Sequence, residues 1–108
     1  MVGGWPLFTP KLLTDLGDAK VKIVAVDALP AQLVYVEKGL APVLLAQPTY
    51  MWGYESVHRI VEKVHLKQEV PKVIPMDVVR VTKADLGPWA RQLKTWGFAV
   101  PDMYAKMP

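Results

Sequence analysis

The stretch Lys20–Gln47, KVKIVAVDALPAQLVYVEKGLAPVLLAQ, constrains the fold of this chain more than any other. Val21–Val26 is a nearly continuous β-branched run, the pattern of a strand covered on both faces. Asp27 follows at once. Pro30 fits the first turn of a helix that runs through Lys38, and Gly39 closes it. Ala41-Pro42 then leads into Val43–Ala46, a second short buried strand that ends at Gln47-Pro48. Two such strands joined by a helix predict a βαβ unit, with parallel strands and a right-handed crossover. Each strand ends on a polar side chain, and the carboxyl ends of strands form the ligand edge of an open parallel sheet. One carboxylate and one amide at that edge suit a small polyhydroxylated ligand better than a metal or a phosphate.

The flanking segments read as short elements with firm breaks. Met1–Gly4 is expected to be a strand end running into a turn at Trp5-Pro6. Phe8–Leu16 is expected to be a short helix, capped by Thr9 and stopped at Gly17. Thr49 can cap a long helix over Tyr50–Leu66, with Tyr50, Gly53, Val57, Ile60, Val61 and Val64 on one face. Glu55 and Arg59 lie on the opposite face at an i, i+4 spacing. Lys72–Ile74 and Asp77–Val81 are expected to be two short strands, because Pro75 between them interrupts any single ladder. Thr82 and Asp85 have capping-box spacing, and the helix beyond is expected to restart at Pro88 and end at Gly97. Phe98–Pro108 has no periodicity and reads as an extended tail.

Composition excludes several classes. A chain of 108 residues that is 52% hydrophobic has the makings of one modest packed domain. The formal net charge is +3, with both signs mixed along the chain and no basic stripe, so nucleic acid is not expected as a partner. Cysteine is absent, which removes disulfides, thiolate nucleophiles and Cys-based zinc sites. No apolar run approaches the ~20 residues of a membrane span. Met1 is followed by no basic segment and apolar stretch, so no signal peptide is read here.

Asp27, Gln47 and Trp5 are the candidate ligand-binding residues. Asp27 could cap the following helix, or accept two sugar hydroxyls through its carboxylate; the two roles are compatible. Gln47 combines an acceptor with two donors, which suits hydroxyls of either polarity. Trp5, at a Gly-Gly turn, could be ordinarily buried or could stack on the apolar face of a sugar ring. Trp89 and Trp96 fall on a helical stripe and read as packing. His58, Glu62 and His65 have metal-compatible spacing but border a polar helix face, and a solvated flank is the simpler reading. No Ser-His-Asp order, paired carboxylates, P-loop or dinucleotide fingerprint occurs, so neither an enzyme nor a cofactor is expected.

The segments VKIVAVDALP and VLLAQPTYMWGYESV, with the spacing between Asp27 and Gln47, resemble the ribose-binding-like periplasmic sugar-binding proteins of ABC transporters. These share their fold with the effector domains of the lactose-repressor class. In that family the first segment matches a strand ending in Gly-Phe-Asp or a variant, and the second a strand ending in Ala-Gln-x-Pro. Further matching patterns lie at Gln68–Ile74 and Val78–Leu86, so the resemblance covers residues 1–86 in order. It implies that Asp27 and Gln47 hydrogen-bond sugar hydroxyls. The loop matching Gly4-Trp5, where the family usually has Asn or Asp, would face the ligand. It also implies a periplasmic location, a membrane transporter component as partner, and chain crossings between two lobes near Gln47-Pro48 and Ile74-Pro75. The fold expected is thus α/β: a short parallel sheet with flanking helices, a partial type I periplasmic-binding-protein fold. Residues 1–86 would form the sugar-binding part, with 1–46 in one lobe and 49–74 crossing to the other, and 87–108 a terminal helix and tail. The resemblance spans only the final part of a family member, so completion by a homo-oligomer, by a longer chain, or by the Tyr50–Leu66 helix folding back over its own sheet is expected. An oligomeric structural or regulatory module that has lost sugar binding is the alternative.

Overall fold

The computed structural model describes Phe8 and residues 21–108. Trp5, the Met1–Gly4 strand end and, apart from Phe8, the helix expected over Phe8–Leu16 lie outside those residues. In chain order the elements are β1 (Val24–Val26), α1 (Leu33–Glu37), β2 (Val43–Ala46), α2 (Thr49–Ile60), β3 (Val79–Val81), α3 (Leu86–Thr95) and α4 (Asp102–Ala105). They divide between two units, one holding residues 21–47 and Val79–Pro108, the other Pro48–Val78.

In the first unit the β-branched run forms a strand only over its last three residues, where Val24, Ala25 and Val26 pair in parallel with Val43, Leu44 and Leu45. A 3-10 turn over Pro30–Gln32 leads into α1, so the helix begins at the expected proline. Gly39, at φ +74°, ends it in the left-handed region that costs glycine least. The sheet departs from expectation on its other side. β3 pairs with β2 antiparallel, Leu44 opposite Val81 and Ala46 opposite Val79, so the three-stranded sheet of the described residues is mixed. The Lys72–Ile74 strand does not form: Pro71 and Pro75 bracket it without N–H donors, and Val73 stands exposed.

Two further expectations are corrected here. The helix after Thr82 does not wait for Pro88. A 3-10 turn over Lys83–Asp85 runs straight into α3, and Pro88 sits in the first turn, where its missing N–H has no intrahelical partner to lose. Asp85 accepts hydrogen bonds from the Thr82 amide (2.9 Å) and hydroxyl (2.6 Å). These bonds, with a lesser contribution from Arg80, hold its carboxyl below the usual carboxylate range. Nor is Phe98–Pro108 an extended tail. Val100 and Tyr104 are buried in the same core as Leu33, Leu44, Val81, Leu86 and Leu93. The Tyr104 hydroxyl donates to Glu37 at 3.0 Å, tying α4 to α1. Burial first, and the Glu37 carboxylate second, push the Tyr104 phenol up to about 12. Residues 87–108 are therefore part of this core rather than an appendage to it.

The final residues also explain a glycine. Arg91 donates to the carbonyls of Ala105 (3.0 Å) and Met107 (2.8 Å), which draws the C-terminal backbone across α3. A Cβ at Gly87 would collide with the Met107 and Pro108 carbonyls.

The second unit is built differently. α2 continues through a π-helical turn over Val61–His65 and stops where Lys67 adopts φ +56°. Thr49 is its first residue rather than its cap. Arg59 bridges Glu55 (3.0 Å) and Glu62 (2.6 Å) on one face. No residue of Pro48–Val78 is buried, and the opposite, apolar face is open: Tyr54, Val57, Ile60 and Val64 are each about 60% exposed. No helix among the described residues is long and apolar enough to cross a membrane.

Candidate functional site

β1 and β2 are neighbouring parallel strands, so their carboxyl ends emerge side by side, ~4.8 Å apart at normal strand spacing. Asp27 is the first residue beyond β1 and Gln47 the first beyond β2. The Asp27 amide continues the ladder by donating to the Leu45 carbonyl at 2.9 Å. Both residues are half-buried. Of the three candidates, Asp27 and Gln47 thus share one edge.

The backbone at that edge is unusual. Asp27 has φ +83° and Ala28 φ +112°, two consecutive non-glycine residues in the positive-φ region. Such conformations cost of order 1–3 kcal/mol each and persist only where surrounding structure over-determines them. Gln32 is one source of that determination. Its side chain is fully buried, and its Oε1 accepts the Ala28 amide (2.6 Å) and the Leu29 amide (2.7 Å). Its Nε2 donates to the Val26 carbonyl at 3.1 Å. Trp89 is the other. Its indole Nε1 donates to the Ala28 carbonyl at 2.7 Å, and its ring meets that of Trp96 edge-on at 5.6 Å.

In this arrangement Asp27 does not cap the following helix. The residue at the cap position is Leu29, and the amides at the entry to the helix go to Gln32 rather than to an aspartate. The Asp27 carboxylate makes no hydrogen bond or ion pair with the described residues. A carboxylate and a primary amide presented at one sheet edge can accept hydrogen bonds from hydroxyls, and the amide can also donate to them.

Gln32 and the polar role of Trp89 were not among the sequence candidates. A signal existed for the first: a glutamine three residues after the cap position, with proline at the first helical residue, is half a capping box. No signal announced the second, because the indole partner lies 61 residues away. The His58 side chain stacks on Tyr54 and lies 3.4 Å from Glu62, consistent with a helix flank. Among the described residues no three His, Cys, Asp or Glu side chains are grouped to hold a metal.

Comparison with models of known protein families finds none that matches this chain. A search of curated proteins likewise returns no match.

Proposed function

We propose that this chain is the carbohydrate-binding part of a solute-binding protein of the ABC-transporter class, acting by reversible binding without covalent chemistry. The observation that carries the reading is the pair of polar residues, Asp27 and Gln47, at the carboxyl ends of two paired parallel strands. The Asp27 carboxylate would accept two vicinal hydroxyls of a monosaccharide, and the Gln47 amide would accept one and donate to another. Trp5 would supply an aromatic face for the ring, by the sequence reading. The resemblance of residues 1–86 to ribose-binding-like proteins supports the same assignment. It adds closure of two lobes around the sugar, a periplasmic setting and a membrane transporter partner. Calorimetric titration with pentoses, hexoses and polyols tests the reading. Saturable heat with at least one sugar, lost in Asp27→Ala, is expected; no heat from a folded sample refutes it.

A second reading, self-association through α2, is favoured by the absence of any buried residue in Pro48–Val78. The occupant we propose for its apolar face is a second copy in antiparallel register about Val57. That register sets Tyr50 against Val64, Tyr54 against Ile60, and Val57 against itself. It also sets Val61 against Gly53, where the open groove between Tyr50, Tyr54 and Val57 leaves room for a side chain. The stripe exposes on the order of 600 Å² per copy, so pairing would bury ~1,200 Å², the lower end of specific interfaces. No charged side chain lies in the seam, and His58 would face Ser56 on its flank. Sedimentation velocity should show a dimer that Val57→Asp converts to monomer without loss of helix content. A monomer at high micromolar concentration refutes the pairing.

A further inference from the structure

We propose that Gln32 and Trp89 are positioning residues that pre-set the Asp27 carboxylate for ligand. The inference rests on the sugar-binding reading of Asp27 and deepens it. Five backbone polar groups around Asp27 are already engaged. The Val26 carbonyl, the Ala28 amide and the Leu29 amide are taken by the one buried side chain of Gln32. The Ala28 carbonyl is taken by the Trp89 indole, and the Asp27 amide by Leu45. The chain is thereby tied on both sides of Asp27 while its own carboxylate makes no bond with the described residues. Two adjacent positive φ angles, at residues that are not glycine, turn the chain out of the strand at that point. A turn held in this way does not have to be ordered when a ligand arrives, and ordering that is complete before binding raises affinity.

The arrangement also ties the edge to α3. Trp89 lies on α3, among the core side chains Leu86, Ala90 and Leu93. The indole is thus a rigid post, anchored by packing, whose single donor reaches the turn. Gln32 plays the complementary part from the other side, since it enters from the 3-10 turn that immediately follows the bend.

Trp89→Phe keeps an aromatic ring in the core while removing the indole donor together with one ring's volume, and Gln32→Leu keeps side-chain size and removes its bonds to Val26, Ala28 and Leu29. Both are titrated calorimetrically in the full chain with D-ribose, L-arabinose, D-galactose, D-glucose and xylitol. In parallel, amide hydrogen exchange is followed at Ala28 and Leu29 and at the core residues Leu44 and Val81. The expected result is at least tenfold weaker affinity for the sugar that the parent binds, with each variant folded under the titration conditions and Leu44 and Val81 losing no more protection than the fall in global stability read by urea unfolding. In Gln32→Leu, Ala28 and Leu29 should also lose protection. Variants that bind as tightly as the parent overturn this proposal alone. Weakened affinity accompanied by loss of protection at Leu44 and Val81 beyond that fall also overturns it, because the residues would then serve only the fold. A parent that binds none of the five overturns the sugar-binding reading and this proposal with it. Should Gln32→Leu not fold, Trp89→Phe decides the outcome.

Discussion

Gln32→Leu is the substitution whose thermodynamic cost the structure specifies best. Among the described residues it removes the one side-chain partner of the Ala28 and Leu29 amides, and with it the side-chain donor to the Val26 carbonyl. A buried group left without its partner costs roughly 1–3 kcal/mol, and one that water reaches costs less. Ala28 is buried, whereas Val26 and Leu29 are half-buried, so the gross loss is about 3–5 kcal/mol. Exchanging a buried amide for an apolar group of similar size returns about 1–2 kcal/mol. The net loss is therefore on the order of 2–3 kcal/mol, large beside the marginal stability of a small domain. With a urea m-value of about 1.5 kcal/mol/M, the unfolding midpoint should fall by ~1.5–2 M. Urea titration followed by far-ultraviolet circular dichroism measures this directly. Gln92→Leu, on the exposed side of α3, should shift the midpoint by no more than about 0.3 M, as a surface substitution does. A midpoint for Gln32→Leu within that same margin would refute the argument that this side chain holds the turn.

Three other perturbations follow from the packing. Gly87→Ala should cost about 1–3 kcal/mol by driving a Cβ into the terminal carbonyls, and deleting Met107 and Pro108 should remove most of that difference in thermal melts. The Asp85 carboxyl titrates lower folded than unfolded, so its contribution is present above the unfolded value of ~4 and is lost as pH falls through the folded one. Stability measured against pH should therefore drop less steeply in acid for Asp85→Asn than for the parent. Tyr104 has the opposite sense. Its phenol is raised to about 12, so its contribution is complete below the unfolded value of ~10 and is lost as pH climbs through the folded one. Tyrosinate absorbance should include one late-titrating phenol that disappears in Tyr104→Phe.

The parts of the fold legible in the sequence are those encoded by neighbouring residues. β1, α1 and β2 are marked by a β-branched run, a proline at the helix start, a glycine at its end and a second apolar run, all within Val21–Ala46. The position of Asp27 and Gln47 at a shared edge follows from that local order. What was not legible depends on distant partners. Whether Val79–Val81 pairs parallel or antiparallel is decided by how the chain returns to β2, which its own three residues do not record. Phe98–Pro108 lacks a helical stripe because it packs through isolated residues, Val100 and Tyr104, rather than a repeating face. The apolar residues of α2 form one face, as their spacing predicts, but a stripe does not say what covers it. The least predictable feature is the turn itself. Ala28 does not favour positive φ and Asp27 does so only more often than most residues, and among the described residues the bonds of Gln32, Leu45 and the distant Trp89 hold that conformation.

Sugar-induced chemical-shift changes in the amide and side-chain amide resonances of the full chain test the central claim most directly. Titration with the sugar that gives calorimetric heat should move Asp27, Ala28 and the Gln47 side chain first and furthest, with saturation at the calorimetric affinity. Shifts confined to Pro48–Val78, or none at Asp27 and Gln47 under saturating sugar, would contradict it.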